Sequence, residues 1–194
     1  MMRELAIDAA RALYLFAPLL VAAAISGVFL RYDLAPALAR PIDGGAVLGG
    51  RRVFGDGKTW RGGVTAVVGC VIGVAIQRAI AGVVPAALQV VDYARVEPVV
   101  LGAAMGAGAT LGELPNSFVK RRAGIPRGGT ARGWKGVVFY VWDQVDLLIG
   151  AWPLIAALVA PRPRLIAASF AVALVVHPLV ALIGWLIGAR TSPR

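Results

Sequence analysis

Two aspartates stand three residues apart in the apolar stretch FYVWDQVDLLIGAW, Asp143 and Asp146. Residues three apart on a helix share a face, so both carboxylates point the same way. Insertion scales assign about 2.5 to 3.5 kcal/mol to an aspartate at the centre of a span, so something cationic must meet the pair. Basic side chains from flanking loops would serve, and so would a divalent metal. An oxygen-only ligand set without His or Cys suits Mg2+, which takes one or two carboxylates together with substrate phosphates. A charge-paired packing node is the alternative at this point.

A third acid, Glu113, ends an apolar segment in LGELPNSFVKRRAGIPRGG and joins Asp143 and Asp146 as a candidate metal ligand. Pro115 is expected to restart the backbone as a short helix that ends at Gly124. On it Ser117, Lys120 and Arg121 fall at i, i+3 and i+4 and share a face. A further lysine sits in FGDGKTW, Phe54 to Trp60. A phosphate-wrapping loop of the form G-x-x-x-x-G-K-[ST] would need glycine at position 52, where this chain has Arg52, so that motif fails. The glycines there read as turn formers. Lys58 is left to meet phosphate as a point charge, or to pair with lipid headgroups alongside Arg61. Acids for a metal and bases for phosphates on one face are what phosphoryl or nucleotidyl transfer requires, since that chemistry is mostly positioning and electrostatics. No Ser-His-Asp array accompanies them, and the sole histidine, His177 before Pro178, reads as a packing or kink residue.

The elements that must position these groups are membrane helices. Of the 194 residues 59% are hydrophobic and only 15% charged, against about 25% in soluble domains, and mean hydropathy is +0.77. The expected fold is all-α, an integral membrane bundle of five spans with two basic cytoplasmic loops, residues 1–194 forming one domain. The spans run approximately Ala12 to Leu30, Gly62 to Val84, Glu97 to Leu114, Gly136 to Ala160 and Leu165 to Ala189. The third is short, but Gly102, Gly106, Gly108 and Gly112 give it small-xxx-small spacing for close helix packing. The first could be a cleaved signal peptide on account of VAAAISG, but it is long for one and its flanking charges, Arg3, Glu4, Asp8 and Arg11, cancel. The lone Cys70 lies in an apolar run, which leaves no disulfide framework and no cysteine metal site.

Net charge is +10, concentrated in two loops. The first carries Arg31, Arg40, Arg51, Arg52, Lys58 and Arg61, and the third carries Lys120, Arg121, Arg122, Arg127, Arg132 and Lys135. Because these basic runs alternate with apolar segments, lipid headgroups or a polyphosphate are favoured over nucleic acid. The positive-inside rule puts both loops in the cytoplasm, the N-terminus outside and the C-terminus, with Arg190 and Arg194, inside. The turn from Pro161 to Arg164 is a mild dissent.

Three ordered stretches, PIDGGAVLGGRRVFGDGKTWRG (Pro41 to Gly62), GELPNSFVKRRAGI (Gly112 to Ile125) and DQVDLLIGA (Asp143 to Ala151), resemble CDP-archaeol synthases, small relatives of the phosphatidate cytidylyltransferases. The resemblance spans nearly the whole chain. It implies a cell-membrane, multi-pass enzyme that condenses CTP with a lipid phosphate, releases pyrophosphate and uses Mg2+. By motif it implies catalytic roles for Lys58, Lys120, Arg121, Asp143 and Asp146, substrate contacts for Asp43, Arg52, Thr59, Arg61, Ser117 and Arg122, and Mg2+ on Glu113, Asp143 and Asp146. Where the family usually has Gly-Asp before the serine motif, this chain has Gly112-Glu113. The expected partners are therefore CTP, a membrane lipid phosphate and the membrane, with a homodimer left open. A transporter or non-catalytic binder of an anionic lipid is the rival reading.

Overall fold

A computed structural model describes residues 2–129, 131–186 and 188. Five long helices make up most of it: α1 (Met2–Arg31), α2 (Trp60–Ile80), α3 (Pro98–Arg122), α4 (Gly133–Ile155) and α5 (Pro163–Leu186). Between α1 and α2 lies a two-stranded antiparallel hairpin, β1 (Val47–Leu48) and β2 (Arg51–Arg52), with Val47 opposite Arg52 and Leu48 opposite Arg51. Its turn is Gly49-Gly50, both at positive φ (55° and 72°), the conformation that a two-residue hairpin favours and that glycine adopts without strain. The all-α expectation holds, since the hairpin is an ornament on one loop.

Among the described residues four helices, α1, α2, α4 and α5, are long and apolar enough to cross a bilayer. The expected third span is the exception. Its helix is 25 residues long, yet it packs chiefly between α2 and α4, with Leu101, Met105 and Ala109 essentially inaccessible. A helix held between two others can carry on its packed faces glycines and charges that a lipid-facing surface cannot. Pro115 does not restart the backbone as expected. It lies inside a continuous α3 that ends at Arg122, with Gly124 at φ 75° just beyond. A proline removes a single i to i−4 bond, and a helix held on two sides tolerates that loss. Helices α1 and α3 extend well past the apolar runs that announced them. The end of the expected fifth span at Ala189, and Arg190 and Arg194, lie outside the described residues.

The bundle closes through small residues and a few polar locks. Pro18 inside α1 has no N–H for the carbonyl of Tyr14 four residues back, and the Gln77 side-chain amide from α2 donates to that carbonyl instead. Phe16 meets Trp152 edge to face at 5.5 Å, and Trp152 Nε1 donates to Ser169 Oγ at 2.9 Å, joining α1, α4 and α5. The closest crossing is α3 on α4. A Cβ on Gly112 would strike the carbonyl of Asp146, and one on Gly150 would strike that of Gly108. The glycines of α3 therefore act in helix packing, and they bring Asp146 against α3.

Gly150→Val should lower stability in detergent by at least about 1 to 3 kcal/mol through overpacking, read as a fall in melting temperature. Gly63→Ala, where the added methyl meets Thr110 Cγ2 at an ordinary 3.5 Å, should leave the melt unchanged.

Candidate active site

The loop from α1 to α2 folds over the C-terminal end of α3 because its polar groups have defined partners there. Arg122 donates to the carbonyls of Leu48, Arg51 (2.9 Å) and Arg52 (2.8 Å), and Arg51 Nη1 donates back to the Arg122 carbonyl at 2.5 Å. Hairpin and helix end thus cap each other, the guanidinium of Arg51 meeting a carbonyl that the helix leaves without a donor. Inside the loop Asp43, with its side chain only 2% exposed, accepts from the backbone N–H of Phe54 (2.9 Å), Gly55 (3.3 Å) and Gly45 (3.0 Å) and from Arg52 Nη2 (2.8 Å). Burial pushes its carboxyl up from the usual 3.8, but the Phe54 amide, Arg52 and the Gly45 and Gly55 amides together outweigh that and hold it at about 2. The ends of the loop are tied as Ile42 N–H donates to the Lys58 carbonyl (2.8 Å) and Trp60 N–H to the Arg40 carbonyl (3.1 Å). Thr59 then caps α2, its Oγ1 accepting from Gly62 N–H at 3.2 Å.

This scaffold delivers Lys58 to Glu113 of α3, with which it forms an ion pair. Two turns further along α3, Lys120 pairs with Asp143 of α4 and lies 5.8 Å from the centre of the Phe139 ring. Asp146 is 6% exposed and has Glu113, Lys58 and Asp143 as electrostatic neighbours. Between the two aspartates sits a residue that sequence reasoning missed. Asn116 of α3, 2% exposed, donates to Asp143 Oδ1 and to Asp146 Oδ2, each at 2.7 Å. A signal for it existed, because Asn116 follows Glu113 by three residues and precedes Lys120 by four, so the three share a helix face.

The structure thus brings together Lys58, Glu113, Lys120, Asp143 and Asp146. Ser117 is buried beside Asn116 on α3. The Arg121 side chain lies over Gly55, where a methyl would sit 3.6 Å from its Cδ, and its buried Nε has no acceptor among the described residues. Five other expected substrate contacts are engaged in building the loop: Asp43, Arg52 (which also pairs with Asp56), Thr59, Arg122 and Arg61. Arg61 Nη1 bonds Asp33 Oδ1 at 2.6 Å and the Leu34 carbonyl at 3.0 Å.

Among the described residues no three His, Cys, Asp or Glu side chains are placed to hold a metal ion as a closed set. Glu113, expected as a third ligand, is engaged by Lys58. The carboxylate oxygens nevertheless fit a hard cation that is completed by phosphates: Asp143 and Asp146 face the same amide, and Asp143 is 41% exposed.

A family model described as CarS-like, CDP-archaeol synthase, matches residues 9–193. The chain belongs to the CDP-archaeol synthase family. A CDP-archaeol synthase of Halobacterium salinarum is 44% identical over 120 residues, 60% of this chain and 59% of the relative's length. That of Thermococcus kodakarensis is 38% identical over 143 residues, 73% and 72% of the two chains, and that of Methanosarcina mazei 30% over 171, 79% and 90%. A solved structure of an intramembrane enzyme for archaeal membrane lipids biosynthesis superposes with a TM-score of 0.62 at 31% identity, covering 89% of this chain and 92% of that one. The apolar helices and this likeness identify a multi-pass membrane protein.

The depressed Asp43 carboxyl gives the loop a pH signature. Because its value in the folded chain, about 2, lies below the usual 3.8, the stabilisation is complete above the latter and is lost as pH falls through about 2. Hydrogen-exchange protection of the Phe54 and Gly55 amides, corrected for intrinsic rates, should fall across that window. In Asp43→Asn it should be roughly tenfold lower at neutral pH, since a charge-assisted acceptor is replaced by a weaker one.

Proposed function

We propose that this protein is a CTP-dependent cytidylyltransferase that converts a membrane lipid phosphate into a CDP-activated lipid and releases pyrophosphate. The observation that carries this reading is the gathering, where the loop folds down on the bundle, of the α4 carboxylates Asp143 and Asp146 with Lys120 and Asn116 of α3, beside the ion pair of the loop's Lys58 with Glu113. The names of the relatives point to an archaeol-type lipid phosphate as acceptor. Positive loops facing the cytoplasm, where CTP is available, fit the same reading.

Asp143 and Asp146 would hold Mg2+, with Glu113 beside them. When bound, the ion neutralises charge on the triphosphate and on the departing pyrophosphate. Lys58, Lys120 and Arg121 bind the phosphates of CTP and lipid as cations. To do so, Lys58 turns from Glu113 and Lys120 from Asp143, exchanging a carboxylate for a phosphate at little electrostatic loss. An oxygen of the lipid phosphate attacks the α-phosphorus of CTP in line. The new oxygen–phosphorus bond forms as the bond from the α-phosphorus to the bridging oxygen breaks, and pyrophosphate leaves with that electron pair. No covalent enzyme intermediate and no general-base histidine are required. The lipid tails lie between spans, which keeps the headgroup level with the acids.

Purified protein incubated with labelled CTP, Mg2+ and a panel of lipid phosphates, ether- and ester-linked, should release pyrophosphate only when lipid and metal are both present. Asp146→Asn should lower that rate by about 100-fold or more, about 2.7 kcal/mol of barrier. Release that ignores lipid, or full turnover in Asp146→Asn, would remove this assignment.

A further inference from the structure

Asn116 is a neutral side chain set between the two aspartates. Both of its amide hydrogens are used, one on each carboxylate, at equal distances of 2.7 Å. The orientation of the amide is forced, because the reversed rotamer would aim Oδ1 at two anions. Its own Oδ1 has no donor among the described residues, so the hydrogen bonds that orient the side chain are those to the aspartates. An apolar residue would fill the same space. The chain instead keeps a polar group there with one atom unsatisfied, an arrangement that burial penalises unless the two bonds it makes matter.

Asp143 and Asp146 need such a bridge. They project from successive turns of α4, and the pull on each differs. Asp143 is drawn outward to Lys120, while Asp146 is buried against α3. Two like charges so disposed would splay. A neutral double donor from the facing helix draws both toward one point without adding a charge, and its bond to Asp143 falls on the same Oδ1 that Lys120 engages, leaving Oδ2 clear.

We propose that Asn116 is a positioning residue that holds Asp143 and Asp146 as a pair at the spacing at which they take a divalent cation, without touching the reacting phosphates. This rests on the assignment of the cation to those two aspartates, and the test separates the two claims. Mn2+ binding to the purified protein, without nucleotide, is followed by electron paramagnetic resonance and calorimetry in wild type, Asn116→Leu and Asn116→Ser. Leucine keeps the volume and removes both donors. Serine keeps one donor and is the variant that decides if the leucine protein fails to fold by melting and gel filtration.

Wild type should bind Mn2+. Loss of partners that orient metal ligands typically weakens binding by about 10- to 100-fold, so Asn116→Leu should fall in that range and Asn116→Ser by a smaller factor. Turnover of the serine variant should recover at saturating Mn2+, its half-saturation for metal raised and its limiting rate near wild type. A folded variant that binds Mn2+ within about twofold of wild type overturns the role of Asn116 alone. Wild-type protein that binds no Mn2+ overturns the cation assignment and this inference with it.

Discussion

Carboxylates placed within a membrane helix have no water to stabilise them, and they persist only if cations and hydrogen-bond donors are brought to them. Asp143 and Asp146 sit about three turns into α4, so the compensating groups must come from neighbouring elements. Lys120 and Asn116 come from α3. Lys58 reaches the neighbouring Glu113 only because the loop between α1 and α2 folds inward. That fold in turn depends on Asp43 gathering three backbone amides and a guanidinium, and on Arg51 and Arg122 fastening hairpin to helix end. Each of these contacts is short-ranged, and together they transmit the demand of the buried Asp146 and its half-buried neighbour Asp143 to the loop of residues 32–59.

The same demand explains the closeness of α3 and α4. A side-chain amide spans only a few ångströms, so a donor on one helix can reach two acids on another only if the backbones nearly touch. Gly112 and Gly150 permit that approach, and Gly112 lies against the backbone of Asp146 itself. Glycine packing and acidic site are therefore one feature. The position of α3 between α2 and α4 follows as well, since a helix bearing Glu113, Asn116 and Lys120 is stable within the bilayer only when those side chains face protein.

Much of this was legible in the chain. Four of the helices announce themselves by apolar length, because lipid selects every exposed side chain on them. The all-helical fold followed from composition and apolar spans, and the family from the ordered motifs. What was not legible had physical reasons. The shielded helix α3 is not obliged to be apolar, so its length past Leu114 and its continuity through Pro115 were hidden. Asn116 has no charge to mark it, and its partners lie on a helix 27 and 30 residues away. The basic loop was recognised as basic, but a count of arginines does not reveal whether each faces a substrate or a carbonyl of its own backbone.

That last distinction follows the chemistry of the two cations. Arg51, Arg52, Arg61 and Arg122 each hold fixed oxygens with a planar, multiply donating head, and Arg122 alone reaches three carbonyls. Such contacts are directional, and replacing one partner disturbs the others. The lysines carry a compact charge on a flexible stem, and each meets a single carboxylate. A point charge can trade one anion for another by swinging its stem while the backbone stays still. These four arginines are thus suited to hold the frame, and Lys58 and Lys120, with Arg121 beside Gly55, to answer an arriving phosphate. In this chain the division follows position: arginines where the loop meets itself and the helix end, lysines where the loop and α3 meet the acids.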